Sequence, residues 1–242
     1  MSCGGYGDSR VILVTGFDSA KLSTRVVYTP PSNKYFMEGC TIVGNRLFVL
    51  TWREHIVFEL SLDDFSLIQT HSYSREGWGI TYNPEEGELW ASDGSSSLFV
   101  LDPGSLRAIR SCKVTLTHDG FTQVPVKYIN ELEYIDATIF ANVYMDTATE
   151  GVSPNYVLGI DPESCKVKSI IPAFGLGRPT SHSSVFNGIA QGFNPGELLV
   201  TGKLWKRVYA IKLDSFASSP HANPLWSQFN ITDYLRANLE FR

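Results

Sequence analysis

Basic charge is in short supply in this 242-residue chain: 20 lysines and arginines stand against 25 aspartates and glutamates, a net charge of −5. That balance gives no electrostatic footprint for nucleic acid or for an anionic membrane surface. Long apolar runs are missing too; none approaches the roughly 20 residues of a membrane span. The opening Met1-Ser2-Cys3-Gly4-Gly5-Tyr6 shows neither the basic nor the apolar region of a signal peptide. The four cysteines (Cys3, Cys40, Cys112, Cys165) are too widely spaced for a zinc motif or a dense disulfide framework. They are expected to be buried free thiols, since a disulfide would need oxidising surroundings. The five histidines (His55, His71, His118, His182, His221) are equally scattered, so no metal site is expected.

What the chain does have is a repeat. A polar opening is followed by a short apolar run, a turn, and a second run ending near aspartate. The openings are Glu38-Gly39, Glu76-Gly77-Trp78-Gly79, Asn130-Glu131-Leu132-Glu133 and Asn187-Gly188. The apolar runs include Leu47-Phe48-Val49-Leu50, Leu89-Trp90-Ala91, Ile139-Phe140-Ala141 and Leu198-Leu199-Val200, answered by runs at 57–63, 98–102, 157–161 and 208–214. Short strands at a period of roughly forty to sixty residues are the mark of β-propeller blades. With blades of about 45 residues, 242 residues fit an all-β, five-bladed β-propeller. The first strand of each blade lines the central channel, so the polar openings are expected at one mouth.

Turns are marked by Gly44-Asn45, Pro84-Glu85-Glu86-Gly87, Asp102-Pro103-Gly104, Asp161-Pro162 and Asn194-Pro195-Gly196. Polar or glycine-rich loops are expected at 146–155 and 174–184. Before Glu38 there are two convincing strands, at 11–14 and 25–28, so the first blade reads as incomplete at its N-terminal end. Residues 1–214 are expected to form a single propeller domain. Residues 215–242 are expected to form a C-terminal extension with an amphipathic run (Ile231, Tyr234, Leu235, Leu239) and to help close the ring, since an open sheet edge is a template for association.

The ordered set Tyr35-Phe36-Met37-Glu38-Gly39, Leu50-Thr51-Trp52-Arg53-Glu54, Glu76-Gly77-Trp78-Gly79, Ser92-Asp93-Gly94-Ser95, Asn130-Glu131-Leu132-Glu133-Tyr134-Ile135, Ala141-Asn142-Val143-Tyr144, Asn187-Gly188-Ile189-Ala190 and Val200-Thr201-Gly202-Lys203-Leu204-Trp205 resembles the plant and bacterial type of glutaminyl cyclase. The resemblance spans about residues 4–214. It implies a propeller that converts N-terminal glutamine of peptides or proteins to pyroglutamate with release of ammonia, without metal or other cofactor. It places the general acid/base on Glu38, polar catalytic residues on Asn130 and Lys203, and substrate-binding aromatics on Phe36, Trp52, Trp78 and Tyr144. The family's opening strand, Phe-Thr-Gln-Gly-Leu, has no counterpart here, and Tyr144 stands where a tryptophan is usual. The chain is expected to act as a monomer.

The residue types suit that chemistry. The α-amine attacks the side-chain carboxamide of its own residue, so proximity comes from the substrate if the pocket holds a curled conformer. Aromatic walls exclude water and fix the aliphatic stem. One carboxyl group can take the proton from the attacking nitrogen and deliver it to the leaving one. Lys203 and Asn130 can donate to the carboxamide oxygen as it gains negative charge. Each residue also has a plainer reading. Glu38 could satisfy backbone amides, Glu76 is expected to bond turn amides, and Trp52 and Trp78 could be core. Trp90 and Trp205 are assigned to packing. Lys203 could be a solvated strand-end lysine, and Asn130 and Asn187 could cap turns. The competing functions are a propeller that serves as a non-catalytic binding module and a metal-dependent propeller lactonase.

Overall fold

The computed structural model describes residues 1–17, 22–118, 120–144, 156–173, 176 and 185–213, and every element among them is a strand. Five antiparallel sheets form the blades of a β-propeller. Blade 1 comprises β1 (Ser2–Cys3), β2 (Arg10–Thr15) and β3 (Ser23–Tyr28). Blade 2 comprises β4 (Met37–Val43), β5 (Arg46–Thr51), β6 (Ile56–Ser61) and β7 (Leu67–Ser72). Blade 3 runs β8 (Ile80–Asn83), β9 (Glu88–Ser92), β10 (Ser97–Leu101) and β11 (Ala108–Lys113). A separate hairpin, β12 (Thr115–His118) and β13 (Thr122–Pro125), precedes blade 4, which is β14 (Ile129–Ile135), β15 (Thr138–Val143), β16 (Tyr156–Ile160) and β17 (Val167–Pro172). Blade 5 is β18 (Phe186–Gln191), β19 (Glu197–Gly202) and β20 (Tyr209–Lys212). The four-strand blades order themselves as the chain does, with β4, β8 and β14 at one edge of their sheets.

The dense apolar runs are explained by what lies on each side of them. Middle strands such as β5 and β15 are buried along almost their whole length, because both faces pack on neighbouring blades. Four apolar clusters fill the spaces between consecutive blades. Val11 of blade 1 meets Met37, Val49 and Phe58, and Phe48, Leu50 and Val57 of blade 2 meet Ile80, Leu89 and Ala91. Trp90, Leu98 and Val100 meet Ile129, Leu132 and Ile139, and Phe140 and Val157 meet Phe186, Ile189 and Val200. Each fully buried side chain of this kind contributes about 1.5–3 kcal/mol relative to exposure. The outer strands β7 and β11 have lost one packing face and are correspondingly polar and exposed. Trp90 is 1% exposed, and Trp205 stacks on Phe186 with ring centroids 5.6 Å apart, so both tryptophans pack as the sequence suggests.

Near the channel, hydrogen bonds recur at matching places in successive blades. Ser2 on β1 donates its hydroxyl to the Glu38 carbonyl. The Ser92 hydroxyl on β9 donates to the Asn130 carbonyl at 2.7 Å. The Gly188 amide donates to Asn142 Oδ1 on β15 at 3.1 Å, and the Gly39 amide to the Trp78 carbonyl at 2.7 Å. Such close approach demands glycine: a Cβ on Gly79 would lie 2.1 Å from the Asn130 carbonyl oxygen. Blades 1 and 5 meet through Phe17 and Phe193, whose ring centroids are 5.0 Å apart.

The cysteines depart from the sequence reading. Cys112 and Cys165 are not free thiols but form a disulfide, with Cα atoms 6.2 Å apart; Cys3 and Cys40 are free. The cause is the β12–β13 hairpin, which no repeat unit anticipates. It carries the chain from β11 onto the flank of blade 4, where Thr115 bridges to Lys166 and Leu116 and Val167 join one apolar cluster. That path brings two cysteines 53 residues apart to one seam. The C-terminal extension expected at 215–242, the loop at 146–155, and all of the loop at 174–184 except residue 176 lie outside the described residues.

Candidate active site

Three inner strands open in a β-bulge at the same place. The register slips between Met37 and Cys40 on β4, between Ile129 and Leu132 on β14, and between Phe186 and Ile189 on β18. A bulge re-aims the side chains within it, and the residues inside these three are Glu38-Gly39, Asn130-Glu131 and Asn187-Gly188. Three of the four sequence openings are therefore points where the ladder is broken; the fourth, Glu76-Gly77-Trp78-Gly79, leads into β8, whose ladder is unbroken.

Glu38 is half-buried. Burial pushes its carboxyl up to about 8; the Lys203 ammonium pulls the other way, and the Glu54 carboxylate adds to the rise. Phe36, immediately before β4, meets Trp52, immediately after β5, edge to face with centroids 5.5 Å apart. The Lys203 ammonium lies 5.3 Å from the centre of the Phe36 ring. Trp78 and Tyr144 form a second aromatic pair, edge to face at 5.8 Å. Asn130 is buried at the start of β14, and its side-chain oxygen has no hydrogen-bond partner among the described residues.

The two aromatic pairs are joined by a carboxylate. Glu76 Oε2 accepts from the indole Nε1 of Trp52 at 2.9 Å and from that of Trp78 at 3.1 Å. Its Oε1 accepts from Arg53 Nε at 3.1 Å, and the Arg53 guanidinium stacks 3.9 Å from the Trp52 ring centre. The sequence reading, in which Glu76 bonds turn amides, is corrected here. The Gly77 amide is already taken by the carbonyls of Thr51 and Trp52 at 3.1 and 2.9 Å, which leaves the carboxylate for the indoles.

Sequence reasoning missed the roles of four residues. Tyr6 packs edge to face on Phe36 at 5.2 Å and donates its hydroxyl to Glu54 Oε1 at 3.0 Å. Glu54 Oε2 accepts the Phe36 amide at 3.1 Å. Glu131 is held protonated well above the usual carboxyl range, first by burial and then by the charges of Glu133 and Glu38. Glu133 is raised to about 7, also by burial, against the Gln191 amide that hydrogen-bonds it. Among the described residues no group of three or more His, Cys, Asp or Glu is arranged to hold a metal.

Two aromatic pairs, Phe36–Trp52 and Trp78–Tyr144, and a carboxyl raised to about 8 are the features that make this end of the propeller a candidate site. Comparisons with known proteins give the propeller a family. Residues 1–213 match the model of the glutamine cyclotransferases. A glutaminyl-peptide cyclotransferase of Arabidopsis thaliana is 33% identical over 200 residues, which are 81% of this chain and 58% of the plant protein. The crystal structure of Myxococcus xanthus glutaminyl cyclase aligns with a TM-score of 0.66 at 34% identity, covering 81% of this chain and 78% of that one. The chain belongs to the glutamine cyclotransferase family and spans 58% of the length of its plant relative.

Proposed function

We propose that this protein cyclises N-terminal glutamine of peptides or proteins to pyroglutamate, releasing ammonia, with Glu38 as general acid/base and no metal in the reaction. The observation that carries the reading is Glu38 itself: a carboxyl in the β4 bulge, facing the charges of Lys203 and Glu54 and raised to about 8, in the range that suits a group that both takes and gives a proton. The relatives are named for this activity.

In the mechanism the α-nitrogen of the substrate attacks the carbonyl carbon of its side-chain carboxamide, forming the lactam C–N bond. The Glu38 carboxylate takes the proton that the attacking nitrogen must lose. It then returns that proton to the carboxamide nitrogen, which leaves as ammonia as its C–N bond breaks. Atoms balance without a further reactant. Phe36, Trp52, Trp78 and Tyr144 hold the curled side chain and exclude water. Lys203 and Asn130 stabilise the carboxamide oxygen as it becomes anionic. For Asn130 this requires the side-chain NH2 group to face the substrate, since the oxygen and nitrogen positions of an amide are interchangeable on rotation. The substrates are peptides with N-terminal glutamine, and the protein acts as a monomer, which size-exclusion chromatography tests directly.

The decisive experiment is ammonia release from a short peptide with N-terminal glutamine, with a chelator present, comparing wild type with Glu38→Gln. Turnover that survives the chelator and collapses in the variant is expected. A folded wild type with no turnover overturns the reading and leaves a binding module.

A further inference from the structure

We propose that Glu76 is a positioning residue that holds both tryptophan walls of the pocket in register by accepting their two indole N–H groups on one carboxylate oxygen. The proposal rests on the reading of this mouth as the glutaminyl pocket. Its basis is geometric. Trp52 lies between β5 and β6 and Trp78 leads into β8, so the two rings belong to different blades and no sheet ladder fixes their relative orientation. Among the described residues, Glu76 is the group that hydrogen-bonds both indoles, at 2.9 and 3.1 Å through Oε2.

A carboxylate is the group that fits. An indole nitrogen is a donor only, so two converging indoles need an acceptor with spare lone pairs, and an ionised carboxylate offers about four such sites. The remaining oxygen is occupied by Arg53 Nε at 3.1 Å, and the guanidinium lies over the Trp52 ring. Trp52 is thus held on its edge by Glu76 and on its face by Arg53. Trp78 is held on its edge by the same oxygen and packs edge to face on Tyr144. Behind it, Gly94 gives the indole room: a Cβ there would lie 2.5 Å from Trp78. Both indole N–H groups are thus taken by Glu76.

A positioning role predicts a specific split. An amide oxygen keeps two lone pairs and could still accept both indoles, so the variant that removes the clamp is Glu76→Ala. Glu76→Ala is expected to raise KM for an N-terminal glutamine peptide about tenfold, the size of one charge-assisted hydrogen bond, with kcat changed less than about threefold. The pH dependence that reports Glu38 should not move, because Glu76 is not among the charges that shift it. The structural readout needs no activity. In an amide-proton NMR spectrum the Trp52 and Trp78 indole N–H resonances, assigned by Trp→Phe replacement, should both shift in Glu76→Ala while those of Trp90 and Trp205 stay put. If only one indole resonance moves, or neither, the clamp is wrong. If both move and KM is unchanged in an active enzyme, the clamp has no positioning role. If the wild type shows no turnover, the cyclotransferase reading fails separately, while the paired indole shift still decides whether one carboxylate joins the two walls.

Discussion

The Lys203 ammonium sits 5.3 Å from the centre of the Phe36 ring, joining the fifth blade to the residue that leads into the strand carrying Glu38. Its charge favours the Glu38 carboxylate and so opposes the rise that burial produces. Replacing it with an uncharged side chain of similar length, Lys203→Met, removes that opposition. The Glu38 carboxyl then titrates above the wild-type value of about 8, and the acidic limb of the kcat/KM profile moves to higher pH. The substrate amine titrates in the same range but equally in both proteins, so the difference belongs to Glu38. The activity at the plateau should also fall, by roughly 10²-fold if Lys203 stabilises the developing oxyanion. A profile that keeps its midpoint refutes the electrostatic link between the two blades.

Glu131 predicts a different pH effect, on stability. In the folded protein burial keeps it neutral well above the ordinary range, whereas in the unfolded chain it ionises near pH 4.3. Above that value the unfolded state has released a proton that the folded state still holds. Unfolding is therefore favoured progressively as pH rises, and Glu133, raised to about 7, adds to the trend up to that pH. Glu131→Gln removes the Glu131 contribution. The variant should melt higher than wild type at pH 8 and match it near pH 4. Equal melting temperatures across that range would show that Glu131 ionises normally in the fold.

The positions of the candidate residues were legible because the repeat fixes their register. Glu38 and Asn130 stand in the bulges of β4 and β14, and Trp78 leads into β8, each at a blade opening. Phe36 and Trp52 follow from the same register, one just before β4 and one just after β5. What could not be read is contact between side chains of different elements at large separation. Tyr6 reaches Glu54 across 48 positions, and the Glu76 bonds to two indoles depend on which turn amides the backbone has already satisfied. The disulfide was illegible for a related reason: the β12–β13 hairpin lies outside the repeat, and only its path brings Cys112 to Cys165. Asp119-Gly120, a strong hairpin dipeptide between Thr-rich segments, was the signal in the sequence for that hairpin.

That disulfide carries its own prediction. It closes a loop of 53 residues, for which the chain-entropy argument gives about 4 kcal/mol of stabilisation. Replacing both cysteines by alanine, or adding reductant, should lower the melting temperature by roughly 10 °C for a chain of this size. Because the bond joins β11 to the turn before β17, both outer strands away from the mouth, kcat/KM at 25 °C should change little. A double variant as stable as wild type would mean that Cys112 and Cys165 are thiols in solution.

The tightest test of the channel geometry is Gly79→Ala. The added Cβ would lie 2.1 Å from the Asn130 carbonyl oxygen and 2.8 Å from the Glu131 Cα. Both are backbone atoms that cannot swing aside, so β8 and β14 must separate. That separation disrupts the Ser92 bond to the same carbonyl and displaces the bulge that aims Asn130. The cost should reach about 3 kcal/mol or more, with kcat/KM reduced even where the protein remains folded. Gly44→Ala is the control. Gly44 has φ +59, and nothing lies within 4 Å of the point its Cβ would occupy, so its alanine meets only the left-handed backbone penalty of about 1 kcal/mol. Urea unfolding of the two variants separates the contributions: a near-equal loss would mean that backbone conformation, not close approach between blades, is what glycine supplies at the channel.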